Sequence, residues 1–416
     1  MATCQACRSE SLVEVLDLGE QPICNKFLDD ETEFDEETFY PLTLAYCPDC
    51  YLAQLTEVPP LDEVFGDDFN YLSGSTSSHV DHFDDLAATI SEELGLGGSA
   101  CVVDIGSNDG TFLECFQKRG IEVLGVEPAQ KPADIANRQG IRTLNDRLET
   151  SVEEISEAIE DDLGVITAMN VLAHTDDIHG FLNGVQTLLS RNEGAHFISQ
   201  SHYLPKLIEN CEYDTIYHEH ARYFSLSSMK SLYDEYDLTI YHVERSDYYG
   251  GSIIVYAKHD QHDPQVSESV RSMLSSEKKY KEIRTYEDFS QQVEQNREKL
   301  VELLTELRND GKELVGIGAP MKSSTLLNYC DIDDDYLQYI TEVNPLKIGT
   351  YTPGTHIEVV EEQRLLDDDP DVGVILSWNV SDSIIDNLRE KGYTGDFVIP
   401  IPEPKLVTPE RSTGER

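Results

Sequence analysis

Basic side chains are scarce in this sequence: 31 lysines and arginines stand against 80 aspartates and glutamates, for a formal net charge of -49. The acidic residues are spread along the whole chain and form no single tail. Because nucleic acids and anionic lipids bind to basic surfaces, we expect neither a nucleic acid nor a membrane as a partner. So many like charges repel one another in dilute salt. In 1 M salt the Debye length shrinks to about 3 Å, which would screen the acidic side chains from one another. The charge therefore indicates a halophilic protein that works in a salty cytoplasm.

The sequence also lacks any run of about 18 apolar residues, the length that a membrane-spanning helix needs. Its first residues, MATCQACRSE, do not resemble a signal peptide, so we expect a soluble, cytoplasmic protein. No internal repeat and no low-complexity linker interrupts the chain. Since 416 residues exceed what one core organises and 39% of them are hydrophobic, we predict two or three folded domains, in a monomer or homodimer.

Nine cysteines in a cytoplasmic protein are more typical of thiols or metal ligands than of disulfides. Four of them form two CxxC pairs, and each pair can place two thiolates on one turn, about 2.3 Å from a tetrahedral Zn²⁺. Redox-active or incidental thiols are the alternative. We predict a structural zinc site, closed by four thiolates, within a module of residues 1–65: Cys4, Cys7, Cys47 and Cys50. For the five isolated cysteines, Cys24 among them, core packing is the default.

The middle of the chain alternates buried-strand and helix patterns at βαβ spacing, beginning with ACVVDIGSNDGTFLECFQKRGIEVLGVEPAQ. We predict further strands of the same sheet at GVITAMNVLAH, GAHFISQSHYL and GSIIVYAKH, within a domain of residues 66–260. Charged, amphipathic helices over residues 261–309 bridge to a second α/β unit, residues 310–410, which starts at ELVGIGAPMKSSTLLNYC. The predicted fold class is therefore α/β.

A glycine turn follows the first of these strands and opens a helix. Gly106 and Gly110 permit a sharp turn and a close approach of a ligand to the backbone. The spacing Asp104-x-Gly106-x-Asn108-x-Gly110 differs from the dinucleotide pattern G-x-G-x-x-G. Glu127 ends the next strand, about 20 residues on, where a carboxylate can accept both ribose hydroxyls of an adenosyl group. Together these residues favour an S-adenosylmethionine site over a NAD site.

Two polar residues follow the next predicted strand, in AMNVLAHTDD. Asn170 and His174 should lie at the carboxyl edge of the sheet, where ligands bind in open α/β folds. Both a place in the cofactor pocket and a role in capping or core packing stay open for His174.

The stretch YDTIYHEHARYFS admits three interpretations. His218 and His220 could bind a metal, but alternate residues of a strand point to opposite faces. A surface turn would expose several aromatic rings. In the third interpretation the stretch is a proton-transfer cluster. His220 removes a proton, Glu219 orients or charge-balances His220, and Tyr217 hydrogen-bonds an oxyanion. Pattern alone leaves all three open.

From end to end, the sequence resembles the S-adenosylmethionine-dependent sugar C-methyltransferases that act on nucleotide-activated deoxy-ketosugars. The matching blocks occur in the family's order: CxxC and CPDC, DIGSNDGTFL, LGVEPA, NVLAH, YDTIYHEHARYFS, GGSIIVY, GIGAPMKSSTLLNY and NPLKIGTYTPGTHI. The resemblance implies a zinc-binding N-terminal module, a class I methyltransferase domain with a Rossmann-like sheet and a C-terminal Rossmann-like domain.

The resemblance also implies roles for individual residues. His220 becomes the general base, with Tyr217 and Glu219 as its partners. Lys322 and Ser323 are expected near the diphosphate of a nucleotide-sugar, and the segment YLSGSTSSH is expected to cover the cofactor with Tyr71. Further candidates for the substrate cleft are Asn344, Lys347 and His356.

The implied reaction is methylation of a carbon beside a keto group through an enolate. The first step of this reaction removes a proton from that carbon. Unperturbed histidine has a pKa near 6.5, which suits the base that removes it. Gln200 and His202, in FISQSHYL, depart from the family's pattern and should alter the substrate pocket. An O- or N-methyltransferase on the same fold and a nucleotide-dependent oxidoreductase are the alternatives. A non-catalytic scaffold with a zinc module is a third, which the His220 cluster argues against.

Overall fold

The computed structural model describes residues 2–64, 72–75, 77–159, 161–247 and 250–408. In these residues the strands are β1 (Val13–Pro22), β2 (Phe39–Tyr46), β3 (Ala53–Leu55), β4 (Ala100–Ile105), β5 (Glu122–Val126), β6 (Thr143–Leu144), β7 (Asp162–Met169), β8 (His196–His202), β9 (Arg222–Tyr223), β10 (Leu238–Ser246), β11 (Ser252–His259), β12 (Leu314–Ile317), β13 (Ile340–Glu342), β14 (Val359–Glu361), β15 (Val372–Ile375), β16 (Asp396–Ile399) and β17 (Lys405–Val407).

The helices of the same residues are α1 (Leu61–Val64), α2 (Ser77–Leu94), α3 (Thr111–Gln117), α4 (Gln130–Arg138), α5 (Leu148–Ala158), α6 (Ile178–Arg191), α7 (Leu204–Glu209), α8 (Leu226–Asp234), α9 (Glu268–Ser276), α10 (Ile283–Asn309), α11 (Ser323–Tyr329), α12 (Gln363–Asp368) and α13 (Ser381–Lys391). None of these helices is both long and apolar enough to span a membrane.

The central sheet has seven strands in the order β10-β11-β8-β7-β4-β5-β6, and β11 alone runs against the others. Its inner strands are apolar on both faces, because helices cover both sides of a parallel sheet. The strands predicted from GVITAMNVLAH, GAHFISQSHYL and GSIIVYAKH are β7, β8 and β11 of this sheet. The chain reverses direction across the sheet between β4 and β7, which makes their carboxyl ends the expected ligand crevice.

The C-terminal sheet is smaller, and it is also mostly parallel with a reversal in strand order. Its order is β14-β13-β12-β15-β16-β17, with only β17 antiparallel. Here the reversal lies between β12 and β15. The two sheets therefore confirm the predicted α/β class, with two Rossmann-like units in one chain.

The N-terminal sheet is antiparallel, in the order β1-β2-β3-β9. Its last strand comes from far along the chain: Tyr223 pairs with Ala53, and Arg222 pairs with Gln54. The stretch YDTIYHEHARYFS thus ends as a strand of the N-terminal sheet, although its sequence position lies in the predicted middle domain. This pairing fixes the stretch between two structural units.

Helix α10, with 27 residues and a length of about 40 Å, joins the first and last parts of the molecule. Tyr286 on this helix stacks on Tyr46 of β2, with ring centroids 4.2 Å apart. Further along, Asn296 donates to the carbonyls of Pro400 and Pro402 and accepts the hydroxyl hydrogen bond of Tyr213. One hydrophobic cluster consequently runs through the N-terminal sheet, α10 and the C-terminal unit.

Candidate active site

A cavity of about 1160 Å³ lies between the central sheet and the C-terminal unit. Its walls contain residues after β4, β5 and β7 of the central sheet, together with Pro320, Met321 and Lys322 after β12 and Trp378 and Asn379 after β15. The crevices of the two α/β sheets therefore open into one space. Such a space can hold two ligands side by side, one on each sheet.

The glycine turn after β4 forms the floor on the central side. Gly106 has a φ of +69°, and a Cβ on it would lie 2.6 Å from a methyl group of Val171, so only glycine fits without displacement. Glu127 lines the cavity at the end of β5. Its two carboxylate oxygens accept the backbone N–H groups of Asn108 at 2.9 Å and Ala129 at 2.8 Å. Each oxygen keeps a lone pair for a ribose hydroxyl, so these residues fit an adenosyl group.

Two residues of the predicted cofactor set lie behind this floor instead of on the cavity wall. Asp104 is buried and accepts the hydroxyl of Thr167 at 2.6 Å, and its burial raises its pKa to about 7. Gly110 adopts a φ of +80° just before α3, where an added Cβ would lie 3.1 Å from Ile141. Both residues shape the turn from behind, and neither contacts the cavity.

Residues 73 and 74 lie on the glycine turn from above. The N–H of Ser73 donates to Oδ1 of Asn108, and the N–H of Gly74 donates to a carboxylate oxygen of Asp109, each at 2.9 Å. The predicted cover residue Tyr71 lies outside the described residues. Asn170 lines the cavity with a φ of +59°, and its N–H donates to the carbonyl of Gln200 at 2.9 Å.

Tyr217 and His220 form a ring pair on the cavity wall. The Tyr217 hydroxyl lies 3.3 Å from Nε2 of His220, and the ring centroids are 4.3 Å apart. The His174 ring lies 4.8 Å from that of His220. Burial, followed by the nearby imidazoles, holds the pKa of His220 well below its usual range, and burial lowers that of His174 to about 4. Both imidazoles are therefore neutral at pH 7, the form in which a ring nitrogen can accept a proton.

Glu219 has a partner that the sequence pattern did not reveal. The buried thiol of Cys24 donates to the Glu219 carboxylate, with sulfur–oxygen distances of 3.0 and 3.2 Å. Burial raises the pKa of both groups, which favours the protonated thiol. Cys24 is buried, as expected, but packing does not account for its whole role. Its thiol also positions a carboxylate 195 residues away in the sequence. Only the folded chain brings these two residues together.

His218 turns away from His220, toward the N-terminal sheet. Its Nε2 lies 3.2 Å from the carbonyl oxygen of Pro41, and only 1% of the residue is exposed. Among the residues that the structure describes, the one group of three or more possible metal ligands consists of the four N-terminal cysteines. Neither the metal interpretation of the histidines nor the exposed turn agrees with this arrangement.

On the opposite wall, Lys322 is held by two buried groups. Its Nζ lies 3.5 Å from Oδ2 of Asp214 and 3.8 Å from the ring centroid of Trp378. The indole N–H of Trp378 donates to the same Asp214 oxygen at 2.6 Å. Lys322 thus presents a positive charge at the cavity from a fixed position. The sequence could not pair it with Asp214, which lies 108 residues earlier.

The other four predicted substrate residues do not line the cavity. The Ser323 hydroxyl donates back to the carbonyl of Pro320 at 2.6 Å, and Asn344 is exposed and caps its own turn at the N–H of Leu346. Lys347 donates to the carbonyl of Ala319 at 2.6 Å, which steadies the turn that leads to Lys322.

His356 binds the N-terminal module instead. Its Nε2 lies 2.5 Å from the Glu37 carboxylate, and its ring stacks on Phe34 with centroids 3.9 Å apart. The pattern NPLKIGTYTPGTH predicted one shared cleft, whereas folding distributes its residues among separate structural contacts.

The four N-terminal cysteines converge. Sγ of Cys4 lies 3.4 Å from that of Cys50, Sγ of Cys7 lies 3.6 Å from that of Cys47, and all four atoms lie within 4.8 Å of one another. Tetrahedral zinc with bonds of 2.3 Å requires sulfur–sulfur distances of about 3.8 Å. The cluster therefore fits a four-thiolate zinc site.

Family models match three consecutive parts of the chain. They are described as a "putative zinc binding domain" at residues 4–65, a methyltransferase domain at residues 79–243 and a C-methyltransferase C-terminal domain at residues 247–402. The C-methyltransferase NovU of Streptomyces niveus is 34% identical over 410 residues, which cover 98% of this chain and 97% of that protein.

More distant similarities are confined to parts of the chain. A ubiquinone biosynthesis O-methyltransferase of Hahella chejuensis is 31% identical over 90 residues, which are 21% of this chain and 37% of that protein. Magnesium protoporphyrin IX methyltransferase of Synechocystis PCC 6803, solved with bound S-adenosylmethionine, aligns with a TM-score of 0.32 at 15% identity, over 44% of this chain and 79% of that one.

Proposed function

We propose a reaction on the premise that this chain belongs to the C-methyltransferase family that includes NovU, and is an S-adenosylmethionine-dependent methyltransferase. The acceptor that we propose is a nucleotide-activated deoxy-ketosugar, methylated at a carbon beside its keto group through an enolate. His220 is the proposed general base.

The observation that carries the proposal is the shared cavity, with His220 on its wall between two ligand crevices. Glu127 and the Gly106 turn are the proposed cofactor contacts. Lys322 lies across the cavity, where a fixed ammonium group can meet a diphosphate. The acceptor's sugar would then lie between the two, beside His220.

In the proposed reaction the cofactor and the side chains of this cavity have separate roles. S-adenosylmethionine, when bound, supplies the electrophilic methyl group. His220 is neutral because burial lowers its pKa, so a ring nitrogen can take the proton from the carbon beside the ketone. Tyr217 orients the imidazole through its hydroxyl, and Cys24 holds Glu219 in place. A sugar that fills the space between the two walls would keep water from the enolate.

Deuterium exchange separates this reaction from O- or N-methylation. Nucleoside-diphosphate ketosugars are incubated with the protein in deuterated, high-salt buffer without S-adenosylmethionine. A C-methyltransferase exchanges the proton beside the ketone, whereas an enzyme that deprotonates a hydroxyl or an amine leaves that carbon protonated. Mass spectrometry of the same compounds after S-adenosylmethionine is added identifies the acceptor. Absence of both exchange and methylation across the panel would refute the proposed acceptor.

The oxidoreductase alternative loses its support because the family is one of methyltransferases. Zinc, bound by the four cysteines, is proposed as a structural ion only, since four protein ligands complete its coordination. The ion would hold together the module that contributes three strands beside β9.

A further inference from the structure

A second histidine on the cavity wall is paired with a buried carboxylate. Nε2 of His202, at the end of β8, lies 3.1 Å from Oε2 of Glu212, and only 1% of the Glu212 side chain is exposed. The other oxygen of Glu212 accepts the side-chain amide of Asn210 at 2.7 Å. Among the described residues, Nδ1 of His202 has no hydrogen-bond partner. One ring nitrogen is thus anchored, and the other is available to a ligand.

The backbone is built to accommodate this pair. Gly250 has a φ of +80° and lines the same cavity, and a Cβ added to it would lie 3.2 Å from Oε2 of Glu212. His202 itself pairs with Ser252 in the ladder between β8 and β11, which fixes the start of its side chain. The β8 strand, Gly250 and the Glu212 carboxylate therefore hold the His202 imidazole in one orientation.

His202 and His220 face the same cavity from different surroundings. The nearby His202 ring is one of the causes that lower the pKa of His220, after burial and the His174 ring, so His202 and His220 are within electrostatic range. His220 has no carboxylate in hydrogen-bond contact among the described residues. His202 has one, and a carboxylate compensates the charge of an imidazolium. The two histidines are therefore suited to opposite tasks, His220 to accept a proton and His202 to donate a hydrogen bond.

The proposed reaction needs such a donor, because negative charge develops on the ketone oxygen as the carbon is deprotonated. Tyr217 was the predicted donor, but its hydroxyl lies on Nε2 of His220. We propose that His202, with its Nε2–H donated to the Glu212 carboxylate and its Nδ1 also protonated, donates the Nδ1–H hydrogen bond that stabilises the enolate oxygen of the substrate. This inference rests on the proposed C-methyltransferase reaction and adds a residue to it.

The step balances within the substrate and the two histidines. The C–H bond beside the ketone breaks, and its proton goes to a ring nitrogen of His220. The electron pair of that bond forms the carbon–carbon double bond, and the carbonyl π pair moves onto oxygen, where His202 donates to it. When the carbon is methylated the carbonyl re-forms, and His202 keeps both of its ring protons throughout. No oxidant or further reactant is required.

The test uses exchange without S-adenosylmethionine, so that methyl transfer does not enter the measurement. Thymidine- and uridine-diphosphate 4-keto-6-deoxyglucose serve as probes, and NMR follows deuterium incorporation. Loss of one oxyanion donor typically lowers a rate by about 100- to 1000-fold, so His202→Ala should lower exchange by at least about 100-fold. His202→Asn, which retains an N–H near the position of Nδ1, should recover at least about tenfold of this loss.

Glu212→Gln should also lower exchange, and its effect should vanish in the His202→Ala background, because the carboxylate acts through the imidazole. His196→Asn is the matched control: it lies on the same strand, contacts Tyr241 and does not line the cavity. Its exchange should equal that of the wild type. S-adenosylmethionine affinity, measured by calorimetry, reports whether each variant is folded.

Exchange by a folded His202→Ala variant within threefold of the wild-type rate overturns the role of His202 and leaves the proposed reaction intact. If instead the wild type exchanges neither probe nor any other ketosugar of the panel, the proposed reaction fails, and this inference fails with it.

Discussion

Replacement of Glu127 by glutamine tests the cofactor pocket without any acceptor. The two Glu127 oxygens accept the N–H groups of Asn108 and Ala129, and the carboxylate lines the cavity. A glutamine side chain offers one oxygen and one NH₂ group, so one backbone N–H then faces another donor. The substitution removes a charge without removing volume, which leaves the shape of the pocket unchanged.

The expected magnitude follows from these contacts. A hydrogen bond to a charged group contributes about 1.5–3 kcal/mol, and one ribose hydroxyl loses its acceptor oxygen altogether. At about 1.4 kcal/mol per tenfold, the Kd of S-adenosylmethionine should rise by roughly 10- to 150-fold. The unpaired N–H costs about 1–3 kcal/mol, so the free energy of unfolding should fall as well.

Titration calorimetry in high salt measures this Kd. Burial raises the pKa of Glu127, so pH 8 is chosen to favour the carboxylate in the wild type. Glu122→Gln provides the control, since Glu122 lies at the other end of β5 and does not line the cavity. If Glu127→Gln binds S-adenosylmethionine within threefold of the wild type, the reasoning about the ribose contact is wrong.

The pKa of Asp104 rises from 3.8 to about 7 on folding, so the folded chain holds an extra proton between these values and the free energy of unfolding should fall by about 4 kcal/mol as pH rises through this window. Denaturant titrations should show a flatter pH profile for Asp104→Asn, and parallel profiles would contradict the raised pKa of Asp104. His220→Ala should lower deuterium exchange by about 100- to 10,000-fold while S-adenosylmethionine still binds, and undiminished exchange would exclude His220 as the base. Native mass spectrometry should find one zinc ion per chain, lost in Cys47→Ser, and a variant that retains the metal would argue against four-thiolate coordination. Lowering salt from 1 M to 0.1 M lengthens the Debye length from about 3 to 10 Å, so the Tm should fall, and a constant Tm would contradict the halophilic interpretation of the charge.

Some features of the candidate site are local in sequence, and these could be predicted. The two CxxC pairs, the turn from Asp104 to Gly110 and the carboxylate of Glu127 each belong to a short pattern with one physical purpose. The strand pattern between these points gave the α/β class, because parallel strands buried on both faces are apolar along their whole length. The roles proposed for Tyr217, Glu219 and His220 came from resemblance, since the residues YHEH alone left a metal site, a turn and an acid–base device open.

The partnerships of these residues could not be predicted, because they join distant parts of the chain. Cys24 meets Glu219 and Asp214 meets Lys322 only after the N-terminal sheet, α10 and the C-terminal unit pack into one hydrophobic cluster. The stretch YDTIYHEHARYFS is held between the central sheet and the N-terminal sheet, which turns His218 to Pro41 and leaves His220 on the cavity wall.

In the segment NPLKIGTYTPGTH, closeness in sequence did not predict a shared place in the fold. Its residues are close in sequence, yet Asn344 is exposed, Lys347 supports a turn and His356 binds Glu37. The sequence by itself determined which chemical groups this protein has and which local turns present them, since neighbouring residues decide a turn or a strand. Tertiary structure decided which groups share the cavity, because only packing between sheets brings side chains from distant positions within hydrogen-bond distance.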